Sequence, residues 1–259
     1  MIFLVGIAVN PWRIFADPLS KVQFNNRTNV VFKGVGGDTF QSTSVGRFFN
    51  ENYIKAAITQ NPELKQLLKD NRISVKLNMT ELADLKQNHC SDTAEISAQI
   101  YKNLPRALKS HVNLKDLKDG AMLHDIGKVL IPAEILNKHG KLTEDEFKIM
   151  HQHSEIGYQI LKNSGVNDEV LSLVRYHHDN MQKGNNFVPD VNLQILNLAD
   201  KYSALTEQRV YKDKLSPQQA LTIIFGDVKK GNVHPMLYNA LVKSVSPAYT
   251  AKQPQLKVS

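Results

Sequence analysis

The sequence predicts an all-α fold class with a small N-terminal extension of different texture. Three observations carry this. From Val45 onward the chain reads as one helical segment after another, several of them opened by explicit start signals. The stretch "KVQFNNRTNVVFKGVGGDTF" within the first 45 or so residues instead alternates Val and Phe with Asn-Asn and Gly-Gly, the pattern of short strands, turns or irregular structure. Finally, 259 residues at 42% hydrophobic and 22% charged make an ordinary globular composition, enough for one large domain or one domain with an extension.

In chain order, helices are expected at about 46–70, 80–108 and 113–126. Pro132 opens a short helix over "PAEILNK", about 132–138. Thr143-Glu144-Asp145-Glu146 is a capping box, in which the Thr hydroxyl and the Glu carboxylate satisfy orphan amides reciprocally, and it starts a helix at about 144–163. Further helices fall at about 168–180 and 191–206. Ser216-Pro217-Gln218-Gln219 repeats the capping logic, with Pro at the first helical position, for a helix at about 216–226, and a last helix spans about 235–244. No internal repeat is visible.

The bulk numbers narrow the function classes. With 32 Lys+Arg against 25 Asp+Glu the chain carries +7, which suits an anionic partner, but the positive charges are scattered. Without a basic block or a basic-aromatic stripe, nucleic acid is not the expected partner. The single cysteine, Cys90, excludes an intramolecular disulfide and thiolate zinc clusters and suits a reducing compartment. The apolar start "MIFLVGIAVN" is about ten residues long, against the ~20 that span a bilayer, and lacks a basic leader. A cytoplasmic protein without membrane insertion is expected.

Chemistry concentrates in the histidines. Of nine, His89, His124, His151, His153, His177 and His178 fall on predicted helices. His124 and Asp125 sit side by side in the apolar run "GAMLHDIGKVLIP", "HHD" occupies 177–179, and "LNLAD" ends an apolar run at Asp200. Buried charges are rare unless paired or holding a metal. Imidazole with carboxylate suits iron, manganese, cobalt, nickel or zinc. Neighbours on a helix point about 100° apart, so His124 and Asp125 need donors from other helices to close a site. Lys128, four residues after His124, lies on nearly the same helix face. His151, two residues before His153, points elsewhere and is left out.

The run "HDIGK" at 124–128 resembles the HD superfamily of metal-dependent phosphohydrolases. Residues 123–161, "LHDIGKVLIPAEILNKHGKLTEDEFKIMHQHSEIGYQIL", are similar to the HD-GYP pattern "LLHDIGK.xIP..IL.K.G.LT..E...M..H...G..IL". Downstream, "HHD" resembles that family's HHE, and "LADKYSALTEQRVYK" at 198–212 resembles "vaDxyDALTsxRpYr". The resemblance covers roughly 80–245. It implies an HD-domain helical bundle, with residues 80–250 as the phosphohydrolase domain and 1–79 as an extension of unknown role.

It also implies two divalent transition-metal ions, iron or manganese favoured. His89, His124 and Asp200 would serve one ion, His153, His177 and His178 the other, and Asp125 would bridge them. A metal-bound hydroxide would then attack phosphorus, while Lys128, Arg209 and Lys212 hold substrate phosphates. The implied substrate is a nucleotide second messenger, cyclic di-GMP foremost. Another nucleotide or phosphoester, or a metal-retaining signalling adaptor without turnover, are the alternatives. A signalling protein partner or a homodimer accompanies the reading.

Two departures stand out. Where the family has "HHExxxGxGYP", this chain reads "HHDNMQKGNNFVPDV", with Asp179 for Glu and no Gly-Tyr-Pro; Phe187 is the nearest aromatic. The second Asp of "DxxDA" is Ser203. The metal chemistry is untouched by these changes, whereas substrate recognition is not.

Overall fold

The computed structural model describes residues 44–179, 190–207 and 214–246. The expected strands and turns of the first 45 or so residues fall almost wholly outside them, as do the loop around Phe187 and both Arg209 and Lys212. The chain divides into two units, Met1–Lys33, entirely outside the described residues, and Gly34–Ser259, to which all that follows belongs.

Twelve helices occur among the described residues, with no strand. The expected helix at 46–70 is three pieces: a 3-10 turn Ser44–Phe48, α1 (Glu51–Gln60) and α2 (Pro62–Asp70). Asn61 makes the break. Proline cannot continue a helix and pushes the residue before it out of the helical region, and Asn61 is extended at φ −109, ψ 101. Its backbone N–H closes α1 on the Ala57 carbonyl, while its side chain accepts from the Glu63 and Leu64 amides to open α2. The same side chain donates to the Gln159 carbonyl at 2.8 Å, fastening the elbow to α8. Ile54, Ile58, Leu64 and Leu68, the inward positions of α1 and α2, are buried.

The expected helix at 80–108 is also divided. It runs as α3 (Met79–Leu85), a π-helical turn Lys86–Cys90, α4 (Ser91–Asn103) and, after Pro105, α5 (Arg106–Lys109). Helix α4 is the axis of the molecule, packed against α6 (Leu114–Leu123), α10 (Val191–Thr206) and α12 (Pro235–Val245), with Ala94, Ile96 and Ile100 buried. Met122, Leu123 and Ile126, which flank His124 and Asp125, are buried.

After α6 the chain makes a 3-10 turn, Ile126–Leu130, and α7 (Ala133–Leu136) before the long α8 (Glu144–Leu161). The expected capping box is present, with the Thr143 hydroxyl and the Glu146 carboxylate satisfying each other's backbone amides. Helix α9 (Asp168–Tyr176) packs on α6 and α8. Asp190 caps α10, whose bounds match those expected, and Ser216-Pro217 opens α11 (Pro217–Lys229) through the second expected capping box.

One glycine sets the distance between the 3-10 turn and α8. A Cβ on Gly127 would overlap the His153 carbonyl oxygen and come within 2.6 Å of the Gly157 nitrogen. Only glycine lets the backbone carrying Asp125 lie this close to the helix carrying His153.

Candidate metal centre

Each ligand-type side chain reaches one point by a local device. His89 sits in the π-helical turn, whose extra residue places His89 and Cys90 in succession on the buried side. Such turns cost helical regularity and recur at functional positions. His124 closes α6 at φ −52, ψ −36, and Asp125 follows at φ −98, ψ 7, in the sparsely populated bridge region. The helix expected to run to 126 thus stops short, and the break lets two adjacent residues face one site. His153 comes from the middle of α8, His177 and His178 from the end of α9, and Asp200 from α10.

Two donor groups result: His89, His124 and Asp200 in one, His153, His177 and His178 in the other, each with its donor atoms within 4.8 Å of one another. Asp125, 2% exposed, stands between them. Its Oδ2 lies 3.5 Å from His89 Nε2 and 3.4 Å from His124 Nε2. Its Oδ1 lies 3.4 Å from His153 Nε2 and 3.9 Å from His177 Nε2. Lys128 Nζ is 2.5 Å from Asp125 Oδ2.

Three of the imidazoles have their tautomer set by the backbone. His124 Nδ1 lies 2.7 Å from the Ala121 carbonyl, His153 Nδ1 2.6 Å from that of Met150, and His177 Nδ1 2.8 Å from that of Val174. A carbonyl only accepts, so each Nδ1 carries the proton and each Nε2 of the neutral ring turns a lone pair inward. His153 Nε2 and His177 Nε2 face each other at 3.1 Å, with His178 Nε2 3.0 Å from the former. His124 Nε2 is buried and makes no hydrogen bond. Buried lone pairs aimed at one another are unfavourable without a cation between them. The residues therefore fit divalent transition metals, and the nitrogen and oxygen donors suit manganese, iron, cobalt, nickel or zinc.

The charge states agree with that fit. Burial pushes the His153 imidazole down to about 3 and holds those of His177 and His178 below the usual histidine range, leaving all three as neutral donors. Burial opposes ionisation of Asp125, but the Lys128 ammonium and the neighbouring imidazoles outweigh it and keep the carboxylate charged. Asp200 is held low mainly by its hydrogen bond to His89, again against burial. His89 is the contrary case. Burial disfavours its cation, yet contacts with Asp200 and Glu207 and the charge of Asp125 raise it to about 9.

Of the residues singled out in the sequence, His89, His124, Asp125, Lys128, His153, His177, His178 and Asp200 lie together. His178 is on the exposed edge, and Lys128 is largely buried. His151, left out on helical geometry, flanks the cluster, with its ring 5.4 Å from that of His178 and 4.5 Å from that of Phe147. The backbone carbonyl of Asp179 accepts from Asn197 at 2.8 Å. Glu207 was not anticipated: its Oε2 lies 3.5 Å from His89 Nδ1. Its only sequence signal was spacing, seven residues after Asp200 on a helical repeat. No helix among the described residues is long and apolar enough to cross a membrane.

Comparison with known proteins places the chain. Residues 77–233 match the family model described as "HD domain". A Vibrio cholerae protein named 3'3'-cGAMP-specific phosphodiesterase 1 is 25% identical over 185 residues, 68% of this chain and 43% of that protein. The Xanthomonas campestris cyclic di-GMP phosphodiesterase response regulator RpfG is 33% identical over 125 residues, 45% of this chain and 33% of its own length. A Thermotoga maritima cyclic di-GMP phosphodiesterase is 32% identical over 157 residues, 56% of this chain and 41% of its own length. The chain thus spans less than half the length of each of these relatives.

Proposed function

The chain belongs to the HD-domain family, and from that premise we propose that it is a metal-dependent phosphodiesterase that hydrolyses a cyclic dinucleotide, cyclic di-GMP foremost. Asp125 carries this reading. Its two carboxylate oxygens each face a separate donor group, Oδ2 toward His89 and His124, Oδ1 toward His153 and His177. A carboxylate so placed suits two cations, with His89, His124 and Asp200 completing one set of ligands and His153, His177 and His178 the other. Divalent cations held there supply Lewis acidity toward phosphodiester oxygens and lower the pKa of water.

The remaining work falls to this chain's own residues. Asp125 orders both donor groups about one carboxylate. Lys128 brings an ammonium beside that carboxylate, where it meets a substrate phosphate as a point charge. Arg209 and Lys212, outside the described residues, are assigned to the other phosphate oxygens, Arg209 through its bidentate fork. Residues 80–250 are assigned to this phosphohydrolase domain, with 1–79 as its extension. A cytoplasmic location fits a nucleotide substrate and the single buried Cys90. The names of the three relatives support a cyclic dinucleotide and divide between cyclic di-GMP and 3'3'-cGAMP.

The test is metal analysis of the purified protein, followed by assay with manganese or ferrous iron on cyclic di-GMP, 3'3'-cGAMP and a chromogenic phosphodiester. Turnover of a cyclic dinucleotide with two bound ions is expected. Turnover of the chromogenic diester alone refutes the cyclic dinucleotide, and two bound ions without any turnover indicate a binding protein rather than an enzyme.

A further inference from the structure

His89 differs from the other three buried imidazoles of the centre. Their Nδ1 protons go to backbone carbonyls three residues earlier, a device built into the helix itself. His89 lies in a π-helical turn, and its Nδ1 meets side chains at the end of α10 instead: the Ser203 hydroxyl at 3.3 Å and the carboxylate of the capping Glu207 at 3.5 Å. The family's sequence pattern differs at both of these contacts. In "vaDxyDALTsxRpYr" the acid stands at the position of Ser203 and a serine at that of Glu207, whereas this chain reads "ADKYSALTEQR" with the two residue types exchanged. Positions 203 and 207 are one helical turn apart and share a face. The Glu207 amide still bonds the Ser203 carbonyl at 2.8 Å, so the turn that presents both side chains is closed.

We infer that Glu207 is the positioning residue of His89. Its carboxylate receives the Nδ1 proton and so directs Nε2 toward Asp200 and Asp125, from one turn beyond the place where the family pattern carries its acid. This rests on the two-cation reading above. A carboxylate behind a ligating imidazole fixes the ring and makes it a stronger donor, an effect that a serine hydroxyl supplies only weakly. The consequence is confined to one cation, because Glu207 acts through His89, which belongs to the group of His124 and Asp200 and not to that of His153. A role for Glu207 only in ending α10 would lie in its backbone amide, which any residue retains.

Manganese titration of the full chain by calorimetry tests this. Wild type is expected to bind two ions, and Glu207→Ala to weaken one of them about 10–100-fold while leaving the other within about twofold. The unaffected ion is the internal control for folding. Adding Ser203→Asp to Glu207→Ala, which restores the acid to the family's position, is expected to recover most of the lost affinity. Unchanged affinities, equal weakening of both ions, or no recovery in the double variant would each overturn the inference while leaving a two-ion wild type intact. A wild type that binds no ion would instead overturn the two-cation reading, and this inference with it.

Discussion

His153 and His177 meet Nε2 to Nε2 at 3.1 Å, and neither ring has a proton to offer the other. Both Nδ1 protons are committed to carbonyls, and burial keeps both rings neutral. The fold thus holds two lone pairs against each other, and a cation that binds them relieves that cost in the folded state alone. Manganese at about a hundred times its Kd should stabilise the protein by about 2.7 kcal/mol. For a chain of this size that raises Tm by roughly 5–10 °C. Calorimetry before and after chelation measures it, and an unchanged Tm at saturating metal would contradict the donor geometry.

Gly127 should be intolerant of even one carbon. A Cβ there meets the His153 carbonyl oxygen and the Gly157 nitrogen, both backbone atoms that no rotamer change removes. Gly127→Ala is expected to cost about 1–3 kcal/mol and to weaken metal binding, because the strain separates Asp125 from His153. Gly226, inside α11 with open space around its Cα, supplies the opposite expectation: Gly226→Ala should stabilise by about 0.5–1 kcal/mol. Urea unfolding of the two variants decides, and equal effects of one sign would rule out the close approach as the reason for Gly127.

The residues of the candidate centre could be singled out in the sequence through their resemblance to the HD-GYP pattern, whose blocks are distinctive because donor chemistry restricts residue type. His124-Asp125, His153, the 177–178 pair and Asp200 each stood in a distinctive block, and the bounds expected for α10 match those observed. What stayed hidden was backbone geometry. The π-helical turn that aims His89 adds one residue to a helical repeat, too little to show against the apolar periodicity of 80–108. Asn61-Pro62 is a breaker, but the apolar spacing continues across it and masks the division into α1 and α2. Glu207 was hidden for another reason: beyond its spacing from Asp200 it is an acid near a helix end, which is ordinarily solvated, and only the fold brings its carboxylate to His89 Nδ1.

A pH-dependent cap stands outside both donor groups of the candidate metal centre. His234 opens α12 by accepting the Met236 amide on Nδ1 at 3.0 Å, which requires the neutral ring. Burial lowers its pKa from the ordinary 6.5, so the unfolded chain takes up this proton more readily than the folded one. Its contribution is therefore complete above about pH 6.5 and is lost as pH falls below that, where the cation also opposes the helix dipole. His234→Asn, which keeps an acceptor at every pH, should match wild type at pH 7.5 and exceed it by about 0.5–1 kcal/mol at pH 5. Denaturation in chelator at both pH values compares them, and a difference independent of pH would refute the cap's titration.

Lys128 and Asp125 should separate substrate binding from metal binding. The Lys128 ammonium lies 2.5 Å from Asp125 Oδ2, the oxygen that also faces His89 and His124. In the metal-free protein it is the nearest full positive charge to a buried carboxylate, so it competes with a cation for that oxygen. Lys128→Met should leave the more distant His89 cation as the charge facing Asp125 Oδ2 and lower metal-free stability by about 1–3 kcal/mol. The same variant should bind metal at least as tightly as wild type, while its KM for a cyclic dinucleotide rises about tenfold through loss of a phosphate contact. Asp125→Ala, in contrast, should lose both ions and all turnover, since one carboxylate serves both donor groups. Metal content, unfolding free energy and KM read the three effects separately. Loss of metal in Lys128→Met would make the lysine part of the architecture rather than of substrate recognition, and two ions retained in Asp125→Ala would remove the carboxylate from the centre.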